Sequence, residues 1–94
     1  MSDILDKTEI KSRLKKIPEW ELTEGHIERM FEFDEFMEAI DFVNGVAEIA
    51  ETAGHHPDID IRFNKVLLKL VTHSKKGLTE NDFLLAEKLD TLED

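Results

Sequence analysis

The sequence alternates between two hydrophobic periods, and the order in which these periods occur is its strongest constraint on the fold. Apolar residues recur at helical spacing before Pro18, within residues 34–53 and again after Leu78. Between these segments, residues 20–33 and 58–73 alternate apolar and polar side chains as strands do. The sequence therefore predicts an α+β fold of order α-β-β-α-β-β-α, in which two hairpins form a four-stranded antiparallel sheet with the helices packed on one face.

Capping signals predict where the helices begin and end. The Asp-Lys-Thr-Glu run at residues 6–9 resembles a capping box before the first helix, and Asp34 is the predicted N-cap of the long central helix. Gly54 stands where a left-handed C-cap would close that helix. Thr79 followed by Asp82 predicts a second capping box, before the last helix. Asp82 therefore has a structural role available to it that needs no chemistry.

The central helix is predicted to be amphipathic. Its predicted apolar stripe consists of residues at helical spacing, namely Phe36, Ile40, Val43, Ala47 and Ala50. Glu51 falls within about 20° of Ile40 around this helix, so it is expected on the apolar side. A carboxylate there breaks the pattern, and functional groups are often found where a local pattern fails.

Composition and charge exclude several classes of function. The chain has 94 residues, no cysteine and a net charge of −10, and residues 31–60 carry nine acidic and no basic side chains. Without a basic stripe, direct binding to nucleic acid or to an anionic membrane is not expected. No apolar run approaches the roughly 20 residues of a membrane span, and Met1–Asp6 does not resemble a signal peptide. We therefore expect one cytoplasmic domain over residues 1–94.

The second hairpin is predicted to bring two histidines together. If residues 64–65 form its loop, opposed residues have numbers that sum to 129, and Asp60 faces Lys69 as an opposite-charge pair. The same register places His56 beside His73 near the open end of the hairpin. Two imidazoles from separate segments would then share one face of the sheet.

Two further residues are expected at the same spot. His55 lies at the turn from helix to strand, and Glu51 lies one helical turn before it. Imidazole titrates near neutral pH, so converging histidines favour proton transfer on a substrate. A zinc site is less favoured, because His55 and His56 would point to opposite faces of a strand and no H-x-x-x-H helix motif is present. No nucleophile is indicated, because Thr72 is predicted on the other strand face.

The spacing of these residues resembles a known signature. Residues 51–57 (ETAGHHP) end in His-His-Pro, Phe63 follows six residues after the proline, His73 lies ten residues beyond it, and Asp82 nine further. A Trp-Glu-Leu run at residues 20–22 strengthens the match. Together they closely resemble the pterin-4a-carbinolamine dehydratase family over essentially the whole chain.

The resemblance implies the same α-β-β-α-β-β-α fold and a specific reaction. Family members are hydro-lyases that remove water from 4a-hydroxytetrahydropterin, such as 4a-hydroxytetrahydrobiopterin, and give quinonoid dihydropterin. This reaction recycles the cofactor of aromatic amino acid hydroxylases. The resemblance also implies a small-molecule pterin substrate, no metal and no cofactor, and a homodimer or homotetramer.

The resemblance further implies roles for individual residues. It assigns catalysis to three histidines and substrate binding to three other residues: His55, His56 and His73, and Glu51, Pro57 and Asp82. His55 and His73 resemble the acid/base pair, and His56 resembles a group that orients the substrate. Glu51 is expected to bind the pterin or to orient a histidine.

Two other functions are consistent with the same resemblance. Some relatives act as dimerisation cofactors of a homeodomain transcription factor, which implies a protein-binding, coactivator-type module whose surface here would be the acidic helix Asp34–Glu48. Alternatively, a dehydratase-like site would act on another pterin, such as a molybdopterin precursor. The sequence leaves these alternatives open.

Overall fold

The computed structural model describes residues 3–93, and their secondary structure confirms the predicted α+β order. Its helices and strands are α1 (Lys7–Leu14), β1 (Glu21–Thr23), β2 (His26–Glu32), α2 (Phe36–Ala53), β3 (Asp58–Arg62), β4 (Lys65–Leu70) and α3 (Glu80–Asp90). Short 3₁₀ helices follow β4 at His73–Lys75 and α3 at Thr91–Glu93. Within this part of the chain, no helix has the length and apolar character that crossing a membrane requires.

The four strands form one antiparallel sheet in the order β1-β2-β4-β3. At its centre, Ile27 pairs with Leu70 and Phe31 pairs with Val66, and all four side chains are buried. Directly opposed residues project to the same face, so these pairs mark the face that the helices cover. The buried apolar core draws on both layers: Ile17, Trp20, Ile27, Phe31, Ala39, Phe42, Val46, Val66, Leu68, Leu70, Leu78, Phe83, Leu85, Ala86 and Leu89.

The buried face of α2 differs from the predicted stripe. Its buried residues are spaced by three or four, as in an amphipathic helix, but they are Ala39, Phe42, Val46 and Ala50. Phe36 and Ala47, which were expected in the core, are exposed. Two apolar stripes lie side by side on this helix, and the sheet selects the one whose Phe42 ring stacks 4.5 Å from the ring of Phe31. The prediction was therefore wrong by about one residue around the helix.

The start of α2 also differs by one residue. The N-cap is Glu35 rather than Asp34, and the amide of Glu35 donates to the Glu38 carboxylate at 3.0 Å. This reciprocal bond needs an acidic or amide side chain three residues after the N-cap. Met37 occupies that position relative to Asp34 and has no such group, so the helix starts one residue later.

The β3–β4 hairpin is displaced from the predicted register by two residues. Its loop is formed by residues 63–64 rather than 64–65, so Lys69 pairs with Asp58 and not with Asp60. A shift of two keeps every side chain on its predicted face. It does move the charged pair towards the end of the hairpin that leads to α2.

Contacts with β2 account for this register. The Asn64 side-chain amide donates to the carbonyl of Phe33 at 2.6 Å, and the Phe33 amide donates to the Asn64 carbonyl at 2.9 Å. Asn64 thus extends the ladder between β2 and β4 and leaves Phe63 to make the turn with a φ of 53°. Local preference would place Asn rather than Phe at a positive φ, so the neighbouring strand overrides the turn preference here.

Candidate functional site

The segment that links α2 to β3 carries His55 and His56, and the end of the helix sets its direction. Gly54 adopts the predicted left-handed conformation with a φ of 67°. The amide of His55 donates to the carbonyl of Ala50 at 3.2 Å, so the first histidine is still tied to the last turn of the helix. Pro57, which is half-buried, then leads into β3.

A second segment, between β4 and α3, carries the remaining candidate residues. Thr72 and Gly77 form an isolated antiparallel bridge that closes the loop containing His73. The amide of Leu5 donates to the carbonyl of Leu78 at 2.9 Å and ties the N-terminal segment to the same loop. These contacts fix the loop that leads into α3.

His55 and Asp82 form the most buried contact of the site. Nε2 of His55 lies 2.5 Å from Oδ1 of Asp82, and the two side chains are 17% and 0% exposed. Asp82 also completes the predicted capping box, because the Thr79 amide donates to its Oδ2 at 2.9 Å. One carboxylate therefore has both roles: Oδ2 caps the helix, and Oδ1 contacts the histidine of the site.

Two threonine hydroxyls belong to the same cluster. Oγ1 of Thr72 donates to Oδ2 of Asp82 at 2.8 Å, and it also lies 2.8 Å from Oγ1 of Thr79. The prediction that Thr72 lies on the far face, away from the histidines, was wrong. The strand ends at Leu70, so alternation no longer determines the direction of the Thr72 side chain. Its position one residue before His73 was the only signal in the sequence.

His56 pairs with Glu51 in solvent. Nε2 of His56 lies 2.5 Å from Oε2 of Glu51, with side-chain exposures of 60% and 77%. Glu51 was expected on the apolar side of α2, and that expectation was wrong because the buried stripe is centred on other residues. The predicted proximity of Glu51 to the histidine segment is nevertheless found.

His73 does not lie opposite His56 in the hairpin. It belongs to the 3₁₀ helix His73–Lys75, beyond the last pair of the ladder, so the side-by-side arrangement predicted from the register was wrong. Its Nε2 lies 3.8 Å from Oδ1 of Asp58, and both side chains are exposed. Asp58 directly follows Pro57, so His73 still meets the segment that carries the other two histidines.

The three contacts share one pattern. Each imidazole places Nε2 against a carboxylate, and an ionised carboxylate can only accept hydrogen bonds. In the two pairs at hydrogen-bond distance, His55–Asp82 and His56–Glu51, Nε2 is therefore the donor, and Nδ1 is the nitrogen left to exchange a proton with a ligand. This arrangement suits general acid–base chemistry.

The same residues do not form a metal centre. Across residues 3–93, no group of three or more His, Asp or Glu side chains is arranged to hold a metal ion. The fourth histidine, His26, pairs with Glu28 on β2 at 2.7 Å and has no described hydrogen bond or ion pair with the residues of the site. A hollow of about 180 Å³ adjoins the site through Asp58 and is otherwise lined by Ile59, Asp60, Leu67 and Lys69.

Comparison with known proteins shows the family to which the chain belongs. A family model described as pterin 4 alpha carbinolamine dehydratase matches residues 3–92. The chain belongs to this family. The model spans both segments of the site, so the resemblance inferred from the His-His-Pro spacing is confirmed.

Individual members of the dehydratase family match this chain over nearly their whole length. A protein of Acidobacterium capsulatum, named "Putative pterin-4-alpha-carbinolamine dehydratase", is 57% identical over 88% of this chain and 90% of its own. One of Picosynechococcus with the same name is 50% identical over 98% of this chain and 100% of its own. The family is therefore shown by close relatives as well as by the family model.

Two solved structures share the fold. A Brucella melitensis protein described as a transcriptional coactivator/pterin dehydratase superposes with a TM-score of 0.93 at 31% identity, covering 98% of this chain and 100% of that one. A pterin dehydratase-like protein described as a RuBisCO assembly factor in the α-carboxysome has a TM-score of 0.65 at 22% identity, covering 78% of this chain and 84% of that one. The second likeness concerns the fold alone.

Proposed function

We propose that this protein removes water from 4a-hydroxytetrahydropterin, such as 4a-hydroxytetrahydrobiopterin, and gives quinonoid dihydropterin as part of tetrahydropterin recycling. The proposal is supported chiefly by three histidine–carboxylate pairs that meet the single segment Glu51–Asp58, in a chain of the pterin dehydratase family. The proposed working unit is one domain over residues 1–94.

The proposed step is a balanced loss of water. The C4a–O bond breaks as an imidazolium protonates the departing hydroxyl, and a neutral imidazole takes the proton from N5 as the C4a–N5 double bond forms. We assign this acid/base pair to His55 and His73, and the orientation of the pterin to His56. Glu51, Pro57 and Asp82 are the proposed binding residues, with Asp82 acting on the substrate through His55.

The rate acceleration that this reaction requires is compatible with a site that offers only an acid and a base. The nitrogen of a carbinolamine already helps to expel the hydroxyl, so a positioned acid and base are sufficient. General acid–base assistance typically contributes about 10²–10⁴-fold to a rate. Neither a covalent intermediate nor a bound cofactor is needed for the step.

The test is the rate of dehydration of 4a-hydroxytetrahydropterin produced in situ by an aromatic amino acid hydroxylase. The purified protein should accelerate the absorbance change of dehydration over the buffer rate. His55→Ala and His73→Ala should each lower kcat by about 10²-fold. His26→Ala is the matched control, because His26 also pairs with a carboxylate but has no described hydrogen bond or ion pair with the other three histidines or their carboxylates. An unaccelerated wild-type reaction contradicts the function, and full rates for both variants contradict the roles.

A second candidate function is protein binding through α2. The start of α2 carries two apolar side chains that the sheet leaves uncovered, Phe36 and Met37, which are 45% and 61% exposed. Contiguous exposed apolar patches are typical of interaction surfaces, and these two neighbouring side chains would form part of such a patch. The surface therefore combines these apolar groups with the acidic residues of Asp34–Glu48, and it suits a homodimer, a homotetramer or a coactivator-type partner.

Light scattering after gel filtration tests this second function. Met37→Glu should lower the measured mass if the protein associates with itself through α2, while Thr52→Glu, which adds the same charge at an exposed position of the same helix outside this surface, serves as the control. Met37→Glu should retain dehydratase activity, because Met37 lies at the opposite end of α2 from the histidines. An unchanged mass for the variant, equal to that of a multimeric wild type, contradicts self-association through this surface.

A further inference from the structure

The hydroxyl groups of Thr79 and Thr72 form a chain that ends on the carboxylate of Asp82. Thr72 has one hydroxyl proton, and it is donated to Oδ2 of Asp82 at 2.8 Å. The Thr79 hydroxyl, 2.8 Å from Oγ1 of Thr72, must therefore donate its own proton to Thr72. Thr79 and Asp82 are completely buried, so solvent does not compete for these bonds.

This chain determines which nitrogen of His55 carries a proton. Oδ2 of Asp82 accepts from the Thr72 hydroxyl and from the Thr79 amide, and these two bonds orient the carboxylate in the interior. An ionised Asp82 can only accept from Nε2 of His55, so the neutral imidazole has its proton on Nε2 and a lone pair on Nδ1. The threonines do not touch the imidazole itself but act on it through the carboxylate.

We propose that Thr72 is a positioning residue that fixes the Asp82 carboxylate against Nε2 of His55 and thereby selects the His55 tautomer with its lone pair on Nδ1. The catalytic part of this inference rests on the proposed dehydratase function. Loss of the Thr72 hydroxyl leaves Asp82 with fewer donors. The carboxylate is then less firmly oriented towards Nε2, so the preference for the Nε2–H tautomer weakens and the Nδ1–H tautomer becomes populated.

The kinetic test compares Thr72→Val, which removes only the hydroxyl, with Thr72→Ser, which keeps it. Thr72→Val should lower kcat about tenfold and change KM less than about twofold, because the lost interaction acts on the reacting group and not on uniform binding. Thr72→Ser should restore kcat to within about threefold of the wild type. Thr23→Val, at a half-buried threonine of β1, is the matched control and should leave both constants unchanged.

The decisive readout is the nitrogen NMR spectrum of the histidine side chains, which needs no substrate. Wild-type His55 should show the Nε2–H tautomer, and Thr72→Val should show a mixture with Nδ1–H, while Thr72→Ser stays like the wild type. An unchanged tautomer in a folded Thr72→Val overturns the inference. If that variant does not fold, Thr72→Ala, which places no methyl group against Asp82, decides on the same readout.

The two proposals fail separately. A wild-type protein that does not dehydrate the pterin overturns the proposed function, while the tautomer of His55 still decides the role of Thr72. An active enzyme whose Thr72→Val variant keeps both its kcat and its tautomer overturns the positioning role alone.

Discussion

The histidine site combines a buried half and an exposed half that use the same pair of functional groups. In the buried half, His55 contacts an Asp82 carboxylate that is also held by Thr72 and by the Thr79 amide. In the exposed half, His56 meets its carboxylate with no further partner among the described hydrogen bonds of the two side chains. Two histidines that are adjacent in the sequence are therefore constrained by very different numbers of hydrogen bonds and degrees of burial.

Burial explains the contrast. An exposed ion pair contributes about 0–1 kcal/mol, because water competes for both groups and two side chains must be ordered. A buried carboxylate that loses a partner is costly, because nothing replaces the missing hydrogen bond. The His55 side chain in the buried half is therefore held in one position, while the exposed histidines can adjust to a substrate.

The largest expected effect comes from removing the buried carboxylate. Asp82→Ala should lower the free energy of unfolding by about 3 kcal/mol, because three buried or partly buried donors lose their common acceptor. Urea denaturation followed by circular dichroism measures it. Asp60→Ala, at an exposed carboxylate paired with Arg62, is the control and should cost less than about 1 kcal/mol. Equal losses for the two variants would contradict the comparison.

The next effect compares the two neighbouring histidines directly. His55→Ala should lower the free energy of unfolding by about 1–3 kcal/mol, since it leaves the buried Asp82 with one donor fewer. His56→Ala should change it by less than about 0.5 kcal/mol, because both members of its pair are exposed. Thermal and urea unfolding of the two variants measure the difference. A larger loss for His56→Ala than for His55→Ala contradicts the assignment of the buried half.

A third experiment separates local stability from site geometry. Gly54 and Gly25 both have positive φ values, 67° and 86°, and a Cβ at either position meets no neighbouring atom within 4 Å. Gly54→Ala and Gly25→Ala should each cost about 1 kcal/mol of stability through backbone strain. Only Gly54→Ala should also lower dehydratase kcat, because Gly54 directs the segment carrying His55. Comparable activity losses in both variants would show that strain alone is responsible.

The smallest expected effect on stability lies in the exposed half. Glu51→Gln should change the free energy of unfolding by less than about 0.5 kcal/mol, because its side chain is 77% exposed. If Glu51 binds the pterin, KM for the carbinolamine should rise several-fold while the melting temperature stays the same. Glu48→Gln, one turn earlier on α2, controls for the change in charge. An unaltered KM removes Glu51 from the binding residues.

Local signals in the sequence were sufficient for the order of the elements and for most caps. Gly54 adopts the left-handed cap, and Thr79 and Asp82 form the predicted box. These features depend on side chains within three or four residues of each other, so a short stretch of sequence contains all the relevant chemistry. The proximity of Glu51 to the histidine segment was predictable for the same reason, because Glu51 and His56 are only five residues apart in the sequence.

Long-range features could not be predicted in this way. The hairpin register depends on the contact of Asn64 with Phe33 on another strand, and the buried stripe of α2 depends on the stacking of Phe42 against the sheet. In both cases the sequence contains two nearly equivalent choices. Packing against a distant segment provides the energy difference between them.

The sequence by itself determined the order of helices and strands, the family and the set of histidines and carboxylates, because these depend on periodicity, capping chemistry and spacing along the chain. Only the tertiary structure decided that Asp82 and Thr72 meet His55 in the interior while His56 and His73 remain in solvent. Burial and partner choice depend on which segments pack together, and that free energy is distributed over the whole core rather than encoded at any one residue.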